Sequence, residues 1–241
     1  MSLPEKLVAD TIERILAKHP ELTEAESPYP ALSSPMSPDP VGSVKIWRSE
    51  GPVKKMVYVG LVVPMIHLDS HMVFAFTGEE SAVPHFTVDS VSAGEYYAYH
   101  LDLIPRADLA THVPYMDEVY GPLTETYDAG VAREGVSRPE LSPRQYAVMS
   151  PWMLVARASE DAFKAIWEST FTYLDQWSDL AAKGLTDEVL ASLADTDLAG
   201  RDAAVRANIF SPDLDPVWHR IARMLGADVT ERIRAELVTN G

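Results

Sequence analysis

Hydrophobic and polar positions follow two different rhythms along this chain. Between residues 43 and 103 β-prone residues come in short runs bounded by turn formers; toward both ends apolar residues recur at helical spacing. The short runs predict strands over 43–48, 54–63, 71–77, 85–91 and 96–103, with one more over 149–156 and Arg157 at its end. Their close spacing leaves room only for hairpins, so the sheet is expected to be antiparallel. Residues 85–91 and 96–103 flank the turn Ser92-Ala93-Gly94-Glu95. With Ala93-Gly94 at the tip, Val91 pairs with Tyr96, Asp89 with Ala98, Thr87 with His100 and His85 with Asp102. Side chains alternate between faces, so one face carries Phe86, Val88, Tyr97, Tyr99, Leu101 and Leu103. The other carries His85, Thr87, Asp89, His100 and Asp102. That polar face either meets solvent or forms a proton-transfer cluster.

Leu3, Leu7, Val8, Ile12, Ile15 and Leu16 predict a helix over 3–18, ended by Pro20. Prolines at 28, 30, 35, 38 and 40 make 27–40 an extended strap, since such density forbids helix and central strand. A short helix is expected over 115–120. A long one over 161–183 carries the stripe Phe163, Ile166, Trp167, Phe171, Leu174 and Trp177 and ends at Gly184. Helices over 186–194, 217–225 and 229–238 follow, with Gly226 as a C-cap. The order of helix, antiparallel sheet and helices predicts one α+β domain over 1–241. Its parts are an N-terminal helix and strap (1–42), a mostly sheet segment (43–157) and a mostly helical one (158–241).

Composition narrows the function. At 241 residues, with 46% hydrophobic residues and a mean hydropathy of -0.08, the chain suits one soluble domain with a real core. No apolar run approaches the roughly 18–20 residues of a membrane span. The N-terminus resembles neither a secretory signal nor a transit peptide, so a cytoplasmic location is expected. The absence of cysteine excludes disulfides, thiolate catalysis and cysteine-ligated metal centres. A net charge of -16, from 36 acids and 20 bases, argues against nucleic acid and against anionic membranes as partners. No glycine-rich phosphate loop and no GxSxG elbow occurs. His67-Leu68-Asp69-Ser70-His71 is an HxDxH run; on a strand its three polar side chains would share a face, as in a non-haem metal oxygenase, and otherwise it is a polar loop.

Three segments resemble the ferredoxin-dependent bilin reductases. The first is Pro84-His85-Phe86-Thr87-Val88-Asp89, with the following strand ending His100-Leu101-Asp102-Leu103-Ile104-Pro105-Arg106-Ala107-Asp108-Leu109; that ending looks most like the red chlorophyll catabolite reductase branch. The second is Met149-Ser150-Pro151-Trp152-Met153-Leu154-Val155-Ala156-Arg157. The third is Leu214-Asp215-Pro216, a helix to Leu225-Gly226, then Thr230-Glu231-Arg232-Ile233. The resemblance implies a three-layer α/β/α sandwich holding a linear tetrapyrrole between sheet and C-terminal helices. It implies no permanently bound cofactor and no metal, with electrons arriving singly from reduced ferredoxin and protons from the protein. By position, Asp89 matches the proton-delivering acid and Asp215 the second acid, with His85 and His100 as relay partners. Met72 stands where many members carry a histidine, with His71 beside it; Arg106, Arg157 and His71 are the candidates for holding substrate. Lys45, Arg48, Lys54, Lys55, Arg201, Arg206, Arg220 and Arg223 are candidates for a local patch that docks acidic ferredoxin. The protein is expected to be a monomer or homodimer. The alternatives are a non-catalytic tetrapyrrole-binding protein of the same fold and a metal oxygenase using His67, Asp69 and His71.

Overall fold

Strands pair largely in chain order, because each β-prone run is followed by a connection too short for anything but a hairpin. The computed structural model describes residues 1–139 and 141–240. Its elements are α1 (Leu3–Lys18), β1 (Thr23–Ala25), β2 (Leu32–Ser34), β3 (Ser37–Arg48), β4 (Val53–Val63), β5 (Leu68–Thr77), β6 (His85–Ser92) and β7 (Tyr97–Ile104). Then come α2 (Val113–Tyr120), α3 (Thr124–Ala132), β8 (Val136–Ser137), α4 (Pro143–Tyr146), β9 (Leu154–Ala158) and α5 (Glu160–Lys164). The chain closes with α6 (Ile166–Lys183), α7 (Asp187–Ser192), α8 (Leu198–Ile209), α9 (Val217–Leu225) and α10 (Ala227–Val238). The strands form one sheet in the order β1-β3-β4-β5-β6-β7-β9-β8, with β2 paired to β3 and every pairing antiparallel.

Both faces of the sheet are covered. On one, Val73, Phe86, Val88, Leu101 and Leu103 pack with Leu7, Val8 and Ile15 of α1 and with Phe163, Tyr173 and Trp177 of α5 and α6. On the other, Val57, Val59, Phe74 and Phe76 pack with Ile209, Phe210, Trp218, Ile221 and Leu237 of the last three helices. The expected three-layer α/β/α sandwich is therefore the observed architecture.

Several boundaries differ from the sequence expectation. The strap is not a connector throughout: β3 begins at Ser37, and β2 folds onto it as an edge hairpin. Pro38 and Pro40 are tolerated there because β4 reaches only to Gly42, so their missing N–H groups break no central ladder. The strand expected from residue 149 starts at Leu154, since Met153 N–H turns back to the Ser150 carbonyl (3.1 Å). Arg157 consequently lies within β9 rather than at its end. The long helix breaks at Ala165 into α5 and α6. The helical segment after residue 158 also divides: α5 to α7 join α1 on one face, and only α8 to α10 cover the other.

Helix α8 had no sequence signal because what it buries is charged: Asp202 and Arg206, with Ile209. Asp202 Oδ1 accepts from His85 Nε2 at 2.6 Å. Thr77 N–H donates to His85 Nδ1 (3.1 Å), which leaves the ring proton on Nε2. Arg106 Nε and Arg206 Nη1 each stand 3.7 Å from the same carboxylate. Arg206 also donates to the Leu237 and Thr239 carbonyls (2.7 and 2.8 Å) and lies over the Phe76 ring at 4.0 Å. Burial alone would raise the Asp202 carboxyl, but the His85 N–H and the two guanidinium groups outweigh it and hold it below its ordinary value. Asp202→Ala would leave both guanidinium groups buried without their carboxylate. The expected loss is about 3–5 kcal/mol in urea unfolding; a loss within about 0.5 kcal/mol, as at an ordinary surface position, would show that apolar packing alone docks α8.

Candidate active site

The hairpin at the centre of the sheet has its loop one residue later than expected. Ala93, Gly94, Glu95 and Tyr96 form the turn, closed by Ala93 N–H to the Tyr96 carbonyl (3.1 Å), with Gly94 at φ 80°. Ser92 therefore pairs with Tyr97, Val91 with Ala98, Asp89 with His100 and Thr87 with Asp102. His85 pairs with Ile104 rather than Asp102. The shift along β7 is two residues, so no side chain changes face. The polar face is not open to bulk solvent: helices α8 to α10 lie over it.

Between that face and the helices runs a cleft. An apolar cavity of about 330 Å³ is walled by Met72 and Phe74 on the sheet and by Phe210, Trp218, Ile221 and Met224 opposite. A more polar cavity of about 450 Å³ continues from it, lined by Gln145, Met153, Arg157 and Arg220 among others. Asp89, His100, Met149 and Asp215 line both, so the two carboxyl groups stand at the waist.

Asp89 projects from β6 with Met72 of β5 on one side and His100 of β7 on the other. Its carboxyl is half-buried, and Oδ1 is occluded with no hydrogen-bond partner among the described residues. Burial, reinforced by the Asp215 carboxylate, pushes its pKa up to about 7, with the Ser90 amide opposing. Asp215 sits just before α9, where its Oδ1 accepts from the Val217 amide at 3.0 Å. Burial raises Asp215 also, against that amide and Arg220. Burial lowers His100 to about 4, so its imidazole is neutral at physiological pH, and its Nε2 is occluded and without a partner among the described residues. One acid that holds its proton near neutrality, Asp89, and a second whose pKa is raised, Asp215, thus face an apolar chamber beside the neutral imidazole of His100. Such a set can donate protons to a ligand and take them back.

Not every sequence candidate reaches this cleft. His85 shares the polar face but has both nitrogens engaged, by Thr77 and Asp202, in the α8 network. Arg106 turns away and donates to Thr77 Oγ1, the Gly78 carbonyl and the Glu79 carbonyl, stapling the β5–β6 loop. His71 pairs with Ser90, so it lies on the opposite face, under α1. There Tyr58 Oη meets His71 Nδ1 at 2.8 Å, and His71 Nε2 meets Asp69 Oδ1 at 2.7 Å. His67 does not join them: it caps a single helical turn in the left-handed conformation, φ 51°. The HxDxH run is therefore a Tyr58–His71–Asp69 chain, and among the described residues no three side chains are grouped to hold a metal ion. Arg157 does line the polar cavity and stacks over the Tyr96 ring at 4.9 Å. Of the bases considered for a docking patch, Lys55 and Arg206 are fully buried, and Arg48 is bound to Glu236 and the Asn240 carbonyl.

The cleft also uses residues that the sequence did not mark as its walls. Met72 of β5, Met149 and Met153 of the α4–β9 loop and Met224 of α9 converge from three separate segments, and Trp218 and Arg220 also come from α9. The helical period of 217–225 marks a buried stripe but does not say what that stripe covers.

No protein-family model matches the chain, and no curated protein matches it in sequence. A solved structure does: that of phytochromobilin synthase from tomato in complex with biliverdin. The two superpose with a TM-score of 0.74 at 16% sequence identity, over 98% of this chain and 82% of that one. At that identity the likeness establishes the fold: this chain and the tomato protein share an α+β architecture built on a large antiparallel sheet.

Proposed function

We propose that this protein is an oxidoreductase that reduces a linear tetrapyrrole, taking electrons singly from reduced ferredoxin and supplying the protons from its own side chains. The observation that carries this is the pair of carboxyl groups, Asp89 from the sheet and Asp215 from the helical wall, facing one apolar cleft with their pKa values raised. The shared fold with a protein solved with biliverdin supports it, as do the three bilin-reductase-like segments. The Asp102-to-Leu109 ending favours the red chlorophyll catabolite branch.

Reducing one double bond takes two electrons and two protons. Each electron makes the bound tetrapyrrole more basic, so a proton must arrive at a defined atom before the charge escapes. Walls of Met72, Phe74, Phe210 and Trp218 keep water from competing for that step. Asp89, protonated near neutrality, is the principal donor; Asp215 serves from the opposite wall as the second acid. His100, neutral, hydrogen-bonds rather than adding charge. Arg157 and Arg220 at the polar end suit carboxylate groups on the pigment. The methionines around the waist are soft and adaptable, which fits a ligand with several rotatable bridges. In this reading the protein keeps no resident cofactor and works in the cytoplasm, wherever reduced ferredoxin is supplied.

Asp89→Asn is expected to bind biliverdin with a normal absorbance change while product formation drops by about 10²–10⁴-fold with reduced ferredoxin. Turnover equal to the wild type would remove Asp89 from the mechanism. Pigment binding by the wild type with no reduction under the same conditions would favour the non-catalytic carrier instead. The pH profile has a definite sign. Asp89 acts as an acid, so kcat should be highest below about pH 7 and decline as the pH rises through it. A profile flat from roughly pH 6 to pH 8 would count against a donor with this pKa.

A further inference from the structure

A cavity at the β9 edge and the buried acid beside it, Asp102, play no part in the chemistry above. Asp102 is fully buried on the same sheet face as Asp89, one step along the ladder: Asp89 pairs with His100, and Thr87 pairs with Asp102. These four side chains form a block in which direct neighbours are roughly 5 Å apart at Cβ and diagonal ones roughly 7 Å. Three of its polar atoms, Asp89 Oδ1, His100 Nε2 and Thr87 Oγ1, are buried without a hydrogen-bond partner among the described residues. Natural proteins seldom leave such atoms unpaired, and three together on one face call for a common partner such as ordered water. At the far side of the block, Asp102 Oδ1 accepts from Ser150 Oγ (2.5 Å) and Asp102 Oδ2 from the Ser150 amide (3.0 Å). Ser150 in turn lines a separate cavity of about 440 Å³ at the β9 edge, with Tyr99, Tyr127 and Tyr146.

We infer that Asp102 is a proton reservoir for the cleft, refilled from the β9-edge cavity through Ser150 and discharging to Asp89 through Thr87, His100 and bridging water. This rests on the proposed role of Asp89 as donor. After Asp89 has protonated the ligand it is a carboxylate; the Asp102 carboxyl group gives up its proton along the Thr87–His100 block, and Asp89 is reloaded. Asp102, now the carboxylate, recovers a proton from water in the edge cavity by way of the Ser150 hydroxyl. Each cycle moves one proton and no electron. Burial holds the Asp102 carboxyl up to about 7, level with Asp89, so exchange between them is close to thermoneutral. The other titratable groups beside Asp102, Tyr120 and Tyr173, donate their hydroxyls to the Leu103 and Trp152 carbonyls (both 2.7 Å) and are not part of the path.

Asp102 touches no substrate, so the test must separate relay from scaffold. Thr87→Val removes a buried hydroxyl that has no hydrogen-bond partner among the described residues. A scaffold role predicts unchanged or raised stability and unchanged turnover. The relay predicts unchanged biliverdin binding, an unchanged first protonation in a single turnover, steady-state turnover down by about tenfold or more, and a larger solvent deuterium effect. Full steady-state turnover with an unaltered isotope effect would overturn the inference. A second measurement needs no activity. In the ligand-free protein, pH-difference infrared spectra should lose one protonated-carboxyl band in Asp102→Asn, and the titration of the Asp89 band should shift. An Asp89 band that titrates identically in both proteins would refute the coupling. Should the wild type reduce no tetrapyrrole at all, the functional proposal falls, while the infrared coupling still decides the relay separately.

Discussion

Asp202 holds together two layers that apolar contact would not align uniquely. Its carboxylate receives the His85 N–H from the sheet and lies between Arg106 and Arg206, and Arg206 in turn gathers the carbonyls at the end of α10. Lys55, fully buried on β4, adds a 2.6 Å bond to Glu236 on the same helix. Hydrophobic packing is non-directional and tolerates sliding, whereas a buried carboxylate shared among three partners permits one arrangement. That network and the apolar contacts of Phe74 and Phe76 with Phe210 and Trp218 together seat α8 to α10 over the polar sheet face.

That seating also makes the chemistry. A carboxyl group on an open sheet face would titrate in the ordinary aspartate range and carry a charge at neutral pH. Covered by α9, with Trp218 and Phe210 opposite, Asp89 and Asp215 are both desolvated, and the Asp215 carboxylate adds to the cost of ionising Asp89. The same cover lowers His100 and keeps it neutral. One packing event thus sets the protonation of the whole waist. The layers on the other face, α1 with α5 to α7, bury the apolar half of the same strands and leave the cleft to the C-terminal helices.

How much of this could be read from residues alone differs with the kind of signal. The face assignment of the central hairpin survived a wrong register, because strand side chains alternate with period two and the error was two residues along β7. Which residues oppose one another did not survive it: Asp89 faces His100, not Ala98, because Glu95 and Tyr96 both belong to the turn. His85, Arg106 and His71 had the right chemistry for a site and were close to it in sequence. His85 and Arg106 are drawn into the Asp202 network from a helix more than ninety residues away, and His71 lies on the wrong side of the sheet. Helix α8 was invisible because its inward side is charged.

Local order, then, was determined by the chain itself: apolar periodicity laid down the antiparallel sheet and its flanking helices, and alternation placed Asp89 and His100 on one face. Only tertiary structure decided that this face is a chamber rather than a surface, and that Asp215 joins it. Periodicity reports which side of an element avoids water, but not which distant element does the covering. The pKa values that give the cleft its chemistry arise from that covering.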